Sequence, residues 1–412
     1  MRQNKEKINR QEYRLGRWLY VILGIIIMLF LGTVYSYSVF RLSLEEIFGI
    51  GSTESGMPYM IALAFYAFFM LLTGKYLNQF NPRNIILLGG LLVAIGWILS
   101  SFATNIIVLT ITYGCISGAG VGIVYGVPMT VVAKWFPEKK GFAVGMVLIG
   151  FGLSPLIAAP IVRLLVEHYG VMRTFLVLGI VFAIALPILA YPFKYPVETD
   201  QTAKISRSKV QNSSVNRTTK EMIRSKSFKG LYLNFLIGTM IGLMLIGKTM
   251  SVGIEYIGLE SNKVIAWMTL FAIFNGLGRP IFGWLTDKLD SKKAMLLSYT
   301  LIILAAVLII AAGQNNQLIY IISFSIFWFN LGGWLAIAPA STMRLYGLQN
   351  YSQNYGLIFT AYGIGAVIGV STSGFLLDLQ KNYHFVFYYV ITLAALGMLI
   401  TMRLVNNEKQ IK

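Results

Sequence analysis

The sequence predicts an all-α membrane protein of twelve spanning helices in two six-helix halves, and three observations carry that expectation. Only 12% of the 412 residues are charged and 56% are hydrophobic, whereas a soluble chain of ordinary composition carries about 25% charged residues. Apolar runs long enough to cross a bilayer, about eighteen residues or more, recur from one end of the chain to the other. One long polar segment, 194–229, interrupts them near the middle.

Lipid offers no hydrogen-bonding partner to the backbone, so each apolar run is read as a helix. The spans fall at about 18–40, 55–77, 84–104, 107–133, 141–164, 171–193, 230–254, 262–286, 293–313, 317–342, 354–377 and 384–404, with ends placed to within a few residues. Segment 194–229 is Ser/Asn-rich and basic, the composition of a linker. It divides the chain into an N-terminal half (1–193) and a C-terminal half (230–412). The 40 glycines suit membrane helices whose backbones approach closely.

A net charge of +18 could suggest nucleic acid, but its distribution assigns it elsewhere. Of the 34 Lys and Arg, 27 fall in the tails, the linker and the loops on the same side as these. Five (Arg41, Arg163, Arg173, Lys263, Lys381) fall on the other side, and Lys248 and Arg279 lie within spans. The positive-inside rule then places both termini and the linker in the cytoplasm, in a multi-pass inner-membrane protein. The linker is expected to be a solvated connector. Cys115 is the single cysteine, which excludes a disulfide framework and any multi-cysteine metal site. The run 18–40 is too long for a cleavable signal and no small-residue cleavage site follows it, so it is read as the first span.

The halves repeat. After the second span the chain reads G-K-Y-L-N-Q-F-N-P-R-N from Gly74, and after the eighth G-W-L-T-D-K-L-D-S-K-K from Gly283, in frame 209 residues later. Pro128 and Pro339 are spaced by 211. Near-equal spacings at unrelated landmarks suggest duplication of a six-helix unit around a central site. Small residues such as Gly74 and Gly283 permit close packing, and acid and base near helix ends complement the helix dipoles. Gly74, Gly283, Asp287 and Lys288 are therefore expected to be gating residues.

Arg279 is the most informative side chain. It lies eight residues before Asp287, about 12 Å into its span at 1.5 Å per residue, where arginine costs about 2.5–3.5 kcal/mol even on lenient scales. All sixteen acids fall in loops or near helix ends, so no central carboxylate offsets that cost. A carboxylate ligand would, because the guanidinium fork offers it two parallel charge-assisted hydrogen bonds. The alternative is a structural arginine tied to backbone carbonyls or a buried acid. Asn275 is one turn earlier on the same face. It is expected to hydrogen-bond substrate or pack against Arg279, and it cannot titrate. Lys248 lies seven residues before Glu255, which suggests a gate pair or a snorkelling rim lysine ahead of direct substrate binding. Tyr35, Tyr125 and Trp328 are candidate cavity walls, with apolar bodies and polar tips. His168 and His384 lie near helix ends, away from any central proton relay.

Three stretches carry a family resemblance: W-F-P-E-K-K-G from Trp135, N-G-L-G-R-P from Asn275, and N-Y-G-L-I-F-T-A-Y-G from Asn354. They resemble the oxalate/formate antiporter family and its relatives, the monocarboxylate transporters. The loop at Gly283, Asp287, Lys288, Lys292 and Lys293 resembles the major-facilitator signature G-x-x-x-D-[RK]-x-G-[RK]-[RK]. Its first copy is worn, with Asn78 for the acid and Asn81 for the second glycine. The resemblance implies a major facilitator fold and a substrate carboxylate on Arg279. It also implies that Asn275 stands where mammalian monocarboxylate transporters carry a proton-coupling Asp, and Tyr362 where the oxalate transporter carries a Lys.

One firm cation suits one carboxylate. The expected substrate is a small organic monoanion such as lactate, pyruvate or formate, moved by alternating access, with Tyr362 shaping the pocket. Lys248 would restore a second charge if it turned inward, and an oxalate/formate-type dicarboxylate exchanger is the alternative. A drug or other-solute exporter is disfavoured because a cationic substrate would meet Arg279 and Lys248. A membrane sensor would need a soluble output domain, and an intramembrane enzyme a nucleophile–base pair or metal cluster. The expected partners are the substrate anion, protons or a counter-anion, and the lipid bilayer, with no cofactor, no nucleic acid and a monomeric state. The G-x-G-x-G at 118–122 lacks the strand a dinucleotide fingerprint requires and is read as helix packing.

Overall fold

A computed structural model describes residues 2–77, 79–136, 140–196, 217–312, 314–347 and 350–405, with side chains described from Gly16 onward except at 140–142 and 352. Asn78, the 137–139 part of W-F-P-E-K-K-G, linker residues 197–216 and the tail from 406 lie outside the described residues.

Helix accounts for nearly all of them. The spanning elements are α1 (Arg2–Leu31), α2 (Ser52–Tyr76), α3 (Pro82–Ser100), α4 (Ile106–Trp135), a 51-residue segment Lys140–Ala190, α7 (Lys226–Gly247), α8 (Ser261–Leu289), α9 (Ser291–Ala312), α10 (Gln317–Tyr346), α11 (Tyr351–Gln380) and α12 (His384–Leu404). Eleven helices among the described residues are thus long and apolar enough to span. Lys140–Ala190 would run about 77 Å as one helix, against a hydrocarbon core of about 30 Å. It is in fact two helices. Gly170, at φ 78° and ψ 169°, takes a conformation that only glycine adopts freely and separates α5 (140–169) from α6 (171–190). Twelve spans result, as the sequence predicts.

The exterior is apolar, unlike that of a water-soluble bundle, and a number of polar side chains are buried within the largely hydrophobic interior. Leu88, Ile107, Ile188 and Phe375 are each about 60% exposed or more. Asn234, Asn275, Ser298, Asn330 and Thr401 are buried, and several bond to one another: Ser298 donates to Asn330 Oδ1 at 2.7 Å and Thr401 to Asn234 Oδ1 at 2.8 Å. A large contiguous apolar surface is what lipid, and not water, tolerates.

Two seams join the first six spans to the last six: α2 runs along α11, and α5 along α8. Both depend on small residues. A Cβ on Gly363 of α11 would lie 2.8 Å from Ala67 Cβ of α2, and one on Gly152 of α5 would lie 3.2 Å from Gly276 Cα of α8. Without glycine at these crossings the helices would separate.

The linker returns to the bundle on a short helix, Thr219–Arg224, started by a Thr218–Glu221 capping box. The Thr218 N–H donated to Glu221 holds that carboxylate below its usual range. The Arg217 N–H donates to the Tyr346 carbonyl at 3.0 Å, closing the end of α10. Asn354, which opens the N-Y-G motif, is buried and donates to the Arg217 carbonyl at 3.1 Å. That motif residue is an anchor for the linker.

Candidate functional site

Arg279 lies inside α8 and is 3% exposed. Its Nη1 donates to the Leu148 carbonyl on α5, and its guanidinium sits 5.9 Å from the centre of the Phe151 ring. Nε and Nη2 have no hydrogen-bond partner among the described residues, and no Asp or Glu there pairs with the side chain. One backbone carbonyl therefore answers a group with five N–H donors. Arg279 also lies within electrostatic reach of Tyr35, Tyr125 and Tyr355.

Those tyrosines belong to an aromatic cluster built from both sets of spans. Tyr35 comes from a 3-10 stretch, Gly32–Ser36, that interrupts the first span, the kind of irregularity found at hinges and functional positions. Its hydroxyl bonds the Tyr362 hydroxyl of α11 at 2.9 Å. Tyr66 of α2 packs 4.9 Å from Tyr125 of α4 and 5.5 Å from Tyr362, centre to centre. Phe151 of α5 meets Tyr35 at 5.1 Å and Tyr125 at 5.3 Å. Phe359 of α11 stacks on Tyr362 at 4.9 Å. The sequence named Tyr35, Tyr125 and Tyr362. It missed Tyr66, Phe151, Tyr355 and Phe359, of which only Tyr355 and Phe359, inside the N-Y-G-L-I-F-T-A-Y-G stretch, carried a signal.

Asn275 is fully buried, and its Nδ2 donates to the Trp328 carbonyl at 2.9 Å. Trp328 itself lies deep among the last six spans. Its Nε1 donates to Thr249 Oγ1 at 3.2 Å and its ring packs 6.1 Å from Phe271. Its contact with the site is through its backbone.

Lys248 departs from one of its two sequence expectations, the rim lysine. It is fully buried, so it does not snorkel at a rim. The helix does not run on to Glu255 either: α7 ends at Gly247, Lys248 sits at φ −106° and ψ 2°, and a π-turn occupies Val252–Tyr256. Its ammonium donates to Ser52 Oγ at the start of α2 and lies within electrostatic reach of Arg41, Glu45, Asp378 and Glu255.

Arg41 was counted with the loop cations, and the structure buries it at 1% exposure. It sits on Ser38–Phe48, the helical continuation of the first span. Nη1 donates to the Gly247 carbonyl at 2.9 Å, Nε to Ser55 Oγ at 3.1 Å, and Nη2 to the Ser52 carbonyl, Ser52 Oγ and Ser55 Oγ. Glu45 stands at 4.0 Å. Asp378 of α11 answers from the other side, accepting from the N–H groups of Ser52 and Thr53 at 2.9 Å each and from the Thr53 hydroxyl. The ties are reciprocal. An arginine from the first six spans closes the C-terminus of α7, and an aspartate from the last six closes the N-terminus of α2, each with the sign the helix dipole favours. Beside them lies a cavity of about 420 Å³ whose lining includes Glu45, Ser52, Glu255, Asp378, Lys381 and Tyr383.

At the other end of the bundle, the Lys288 ammonium sits 4.7 Å from the centre of the Trp284 ring, Arg344 donates to the Thr286 carbonyl at 2.9 Å, and a Cβ on Gly283 would meet Ala336 at 3.9 Å. Asp290 Oδ1 caps the start of α9 by accepting from the Lys293 N–H at 2.9 Å. Gly74 lies near the end of α2 and Asp287 near the end of α8.

The Major Facilitator Superfamily profile matches residues 21–259 and 232–411, which together take in nearly the whole chain. The chain belongs to the Major Facilitator Superfamily. It is 25% identical over 355 residues to the oxalate:formate antiporter of Oxalobacter formigenes, covering 86% of this chain and 83% of that protein. It is 27% identical over 344 residues to monocarboxylate transporter 12 of Xenopus laevis, covering 75% and 71%. A bacterial homologue of the human lysosomal transporter Spinster, solved in an inward-facing and unoccupied conformation, shares the fold at a TM-score of 0.64 and 15% identity, over 94% of this chain and 93% of that one. The family and these relatives are transporters, so the chain is a multi-pass membrane transporter and not an enzyme.

Proposed function

We propose that the protein carries small organic monoanions across a cell membrane by alternating access, with Arg279 binding the substrate carboxylate. The observation that carries the reading is the pair of unpartnered N–H groups, Nε and Nη2, on a 97%-buried guanidinium. They form the fork edge that a carboxylate fills with two parallel bonds. Tyr35, Tyr125 and Tyr362 wall the pocket, joined by Tyr66 and Phe151. The named substrates of the relatives, oxalate, formate and monocarboxylates, are all carboxylates and support the class. Lys248 is engaged with Ser52, which favours one carboxylate over two.

In this reading two six-helix halves, 1–193 and 230–412, rock about the site. Arg41, Lys248 and Asp378 latch one face, and Gly74, Gly283, Asp287 and Lys288 serve the other, which faces the cytoplasm with both termini. Counterflow of labelled lactate, pyruvate, formate and oxalate in proteoliposomes tests it. Arg279→Lys keeps the charge and loses the fork, so uptake is expected to fall at least about a hundredfold, the worth of two charge-assisted bonds. Near-normal uptake by that variant would remove Arg279 from the site.

A further inference from the structure

The first and seventh spans are broken at matching places. In the first, the 3-10 stretch Gly32–Ser36 and a turn at Tyr37 separate α1 from the helical segment Ser38–Phe48. In the seventh, a turn at Lys248 separates α7 from the helical segment 249–256. Tyr37 and Lys248 are 211 residues apart, the spacing of Pro128 and Pro339. The two breaks are therefore one feature of the six-helix unit, present twice.

Each break is held from outside its own span. Where a helix stops or changes type, carbonyls are left for other donors. Just before the first break, Ser154 of α5 donates to the Leu29 carbonyl at 2.6 Å. At the second break, Arg41 Nη1 donates to the Gly247 carbonyl at 2.9 Å. Arg41 rides on Ser38–Phe48, beyond the first break. The far segment of one span thus closes the joint in the other. Arg41 and Lys248 both donate to Ser52 Oγ, and Asp378 of α11 holds the Ser52 N–H. The two segments also share open space: Glu45 on the first and Glu255 and Tyr256 on the second line the 420 Å³ cavity.

We propose that the two breaks are hinges that flex together. Ser38–Phe48 and 249–256 swing as one lid at the cavity end, linked by Arg41 and seated on the head of α2, which Asp378 holds in place. Rocking of rigid halves changes no distance inside a half; the lid changes one in each. The motion is independent of what the carrier binds.

Pulsed electron resonance between spin-label pairs in a Cys115→Ser background reads it. Glu46→Cys with Leu99→Cys reports the first hinge inside its half, Ile254→Cys with Leu308→Cys the second, and Leu99→Cys with Leu308→Cys the rocking. Loosening the seat with Asp378→Asn, or more mildly with Thr53→Val, which removes a donor to Asp378, is expected to shift both within-half distances together by at least about 2 Å, the scale of a hinge rearrangement. Arg41→Lys, which loses the fork, added to either variant should let the two shifts part. A change confined to the Leu99–Leu308 pair means rigid halves and overturns the lid. A shift at one hinge alone overturns the coupling, as do shifts that stay together in Arg41→Lys. No shift in any pair with either seat variant overturns the seat on α2 and with it the proposal.

Discussion

Arg41 and Arg279 are equally inaccessible, at 1% and 3% exposure, yet the protein provides for them differently. Arg41 meets a helix-terminal carbonyl, a second carbonyl, two serine hydroxyls and a carboxylate at 4.0 Å. Arg279 meets one carbonyl. Each guanidinium starts from a penalty of about 2.5–3.5 kcal/mol for leaving water, and each bond to a charged group returns about 1.5–3 kcal/mol. Arg41 is thus answered by the protein alone. Arg279 is not: burial ranks the two the same, and hydrogen bonding separates them.

Neutral, volume-matched substitutions should move stability in opposite directions, which is the strongest way to break the contrast. Arg41→Met leaves the Gly247 and Ser52 carbonyls and Glu45 without their partner and is expected to destabilise the protein by about 2–4 kcal/mol. Arg279→Met removes a poorly satisfied buried charge and should stabilise the ligand-free protein by about 1–3 kcal/mol while abolishing uptake. Melting curves of both purified variants check this, and a parallel fall in the two would void the distinction.

Asp378→Asn sharpens the same comparison on a smaller scale. It keeps an acceptor for one of the donors at the head of α2 and loses the charge that favours that helix end, so a loss of about 1–2 kcal/mol is expected. Because Asp378 and Arg279 belong to separate groups of residues, equilibrium affinity for the proposed substrate anion should stay near the wild-type value. A large change in affinity would show that the two groups are not separate. Smallest is Tyr35→Phe. It removes one 2.9 Å bond to Tyr362, expected to cost about 0.5–1.5 kcal/mol, and a double-mutant cycle with Tyr362→Phe should recover nearly all of that as coupling.

The legibility of these regions from sequence also differs. The depth of Arg279 was evident because it falls within a long apolar run, where a charge is costly and needs a compensating partner, at a fixed spacing from Asp287. Arg41 looked like a loop residue because Arg41, Glu45 and Glu46 follow closely on one another, a pattern that ordinarily marks the end of a span. Its burial comes from α2 and α7 folding over it, a contact across 206 residues in the case of Gly247. Lys248 was only partly legible for a related reason. Seven residues of uninterrupted helix would carry it two turns from Glu255, but α7 breaks at that lysine and the side chain turns to Ser52.

Composition, periodic apolar runs and charge asymmetry therefore determined the membrane class, the number of spans and the helix that holds Arg279. These follow from local hydrophobicity, which the bilayer reads residue by residue. What tertiary structure alone decided is which polar atoms find partners. Nothing in the order of residues says that Ser52, Gly247 and Asp378 converge on one end of the bundle, or that Asn275 turns its oxygen toward Gly152. A hydrogen bond is a relation between atoms brought together from distant parts of the chain, and so is its absence. Only the packed bundle reveals which buried donors and acceptors find no partner among the described residues.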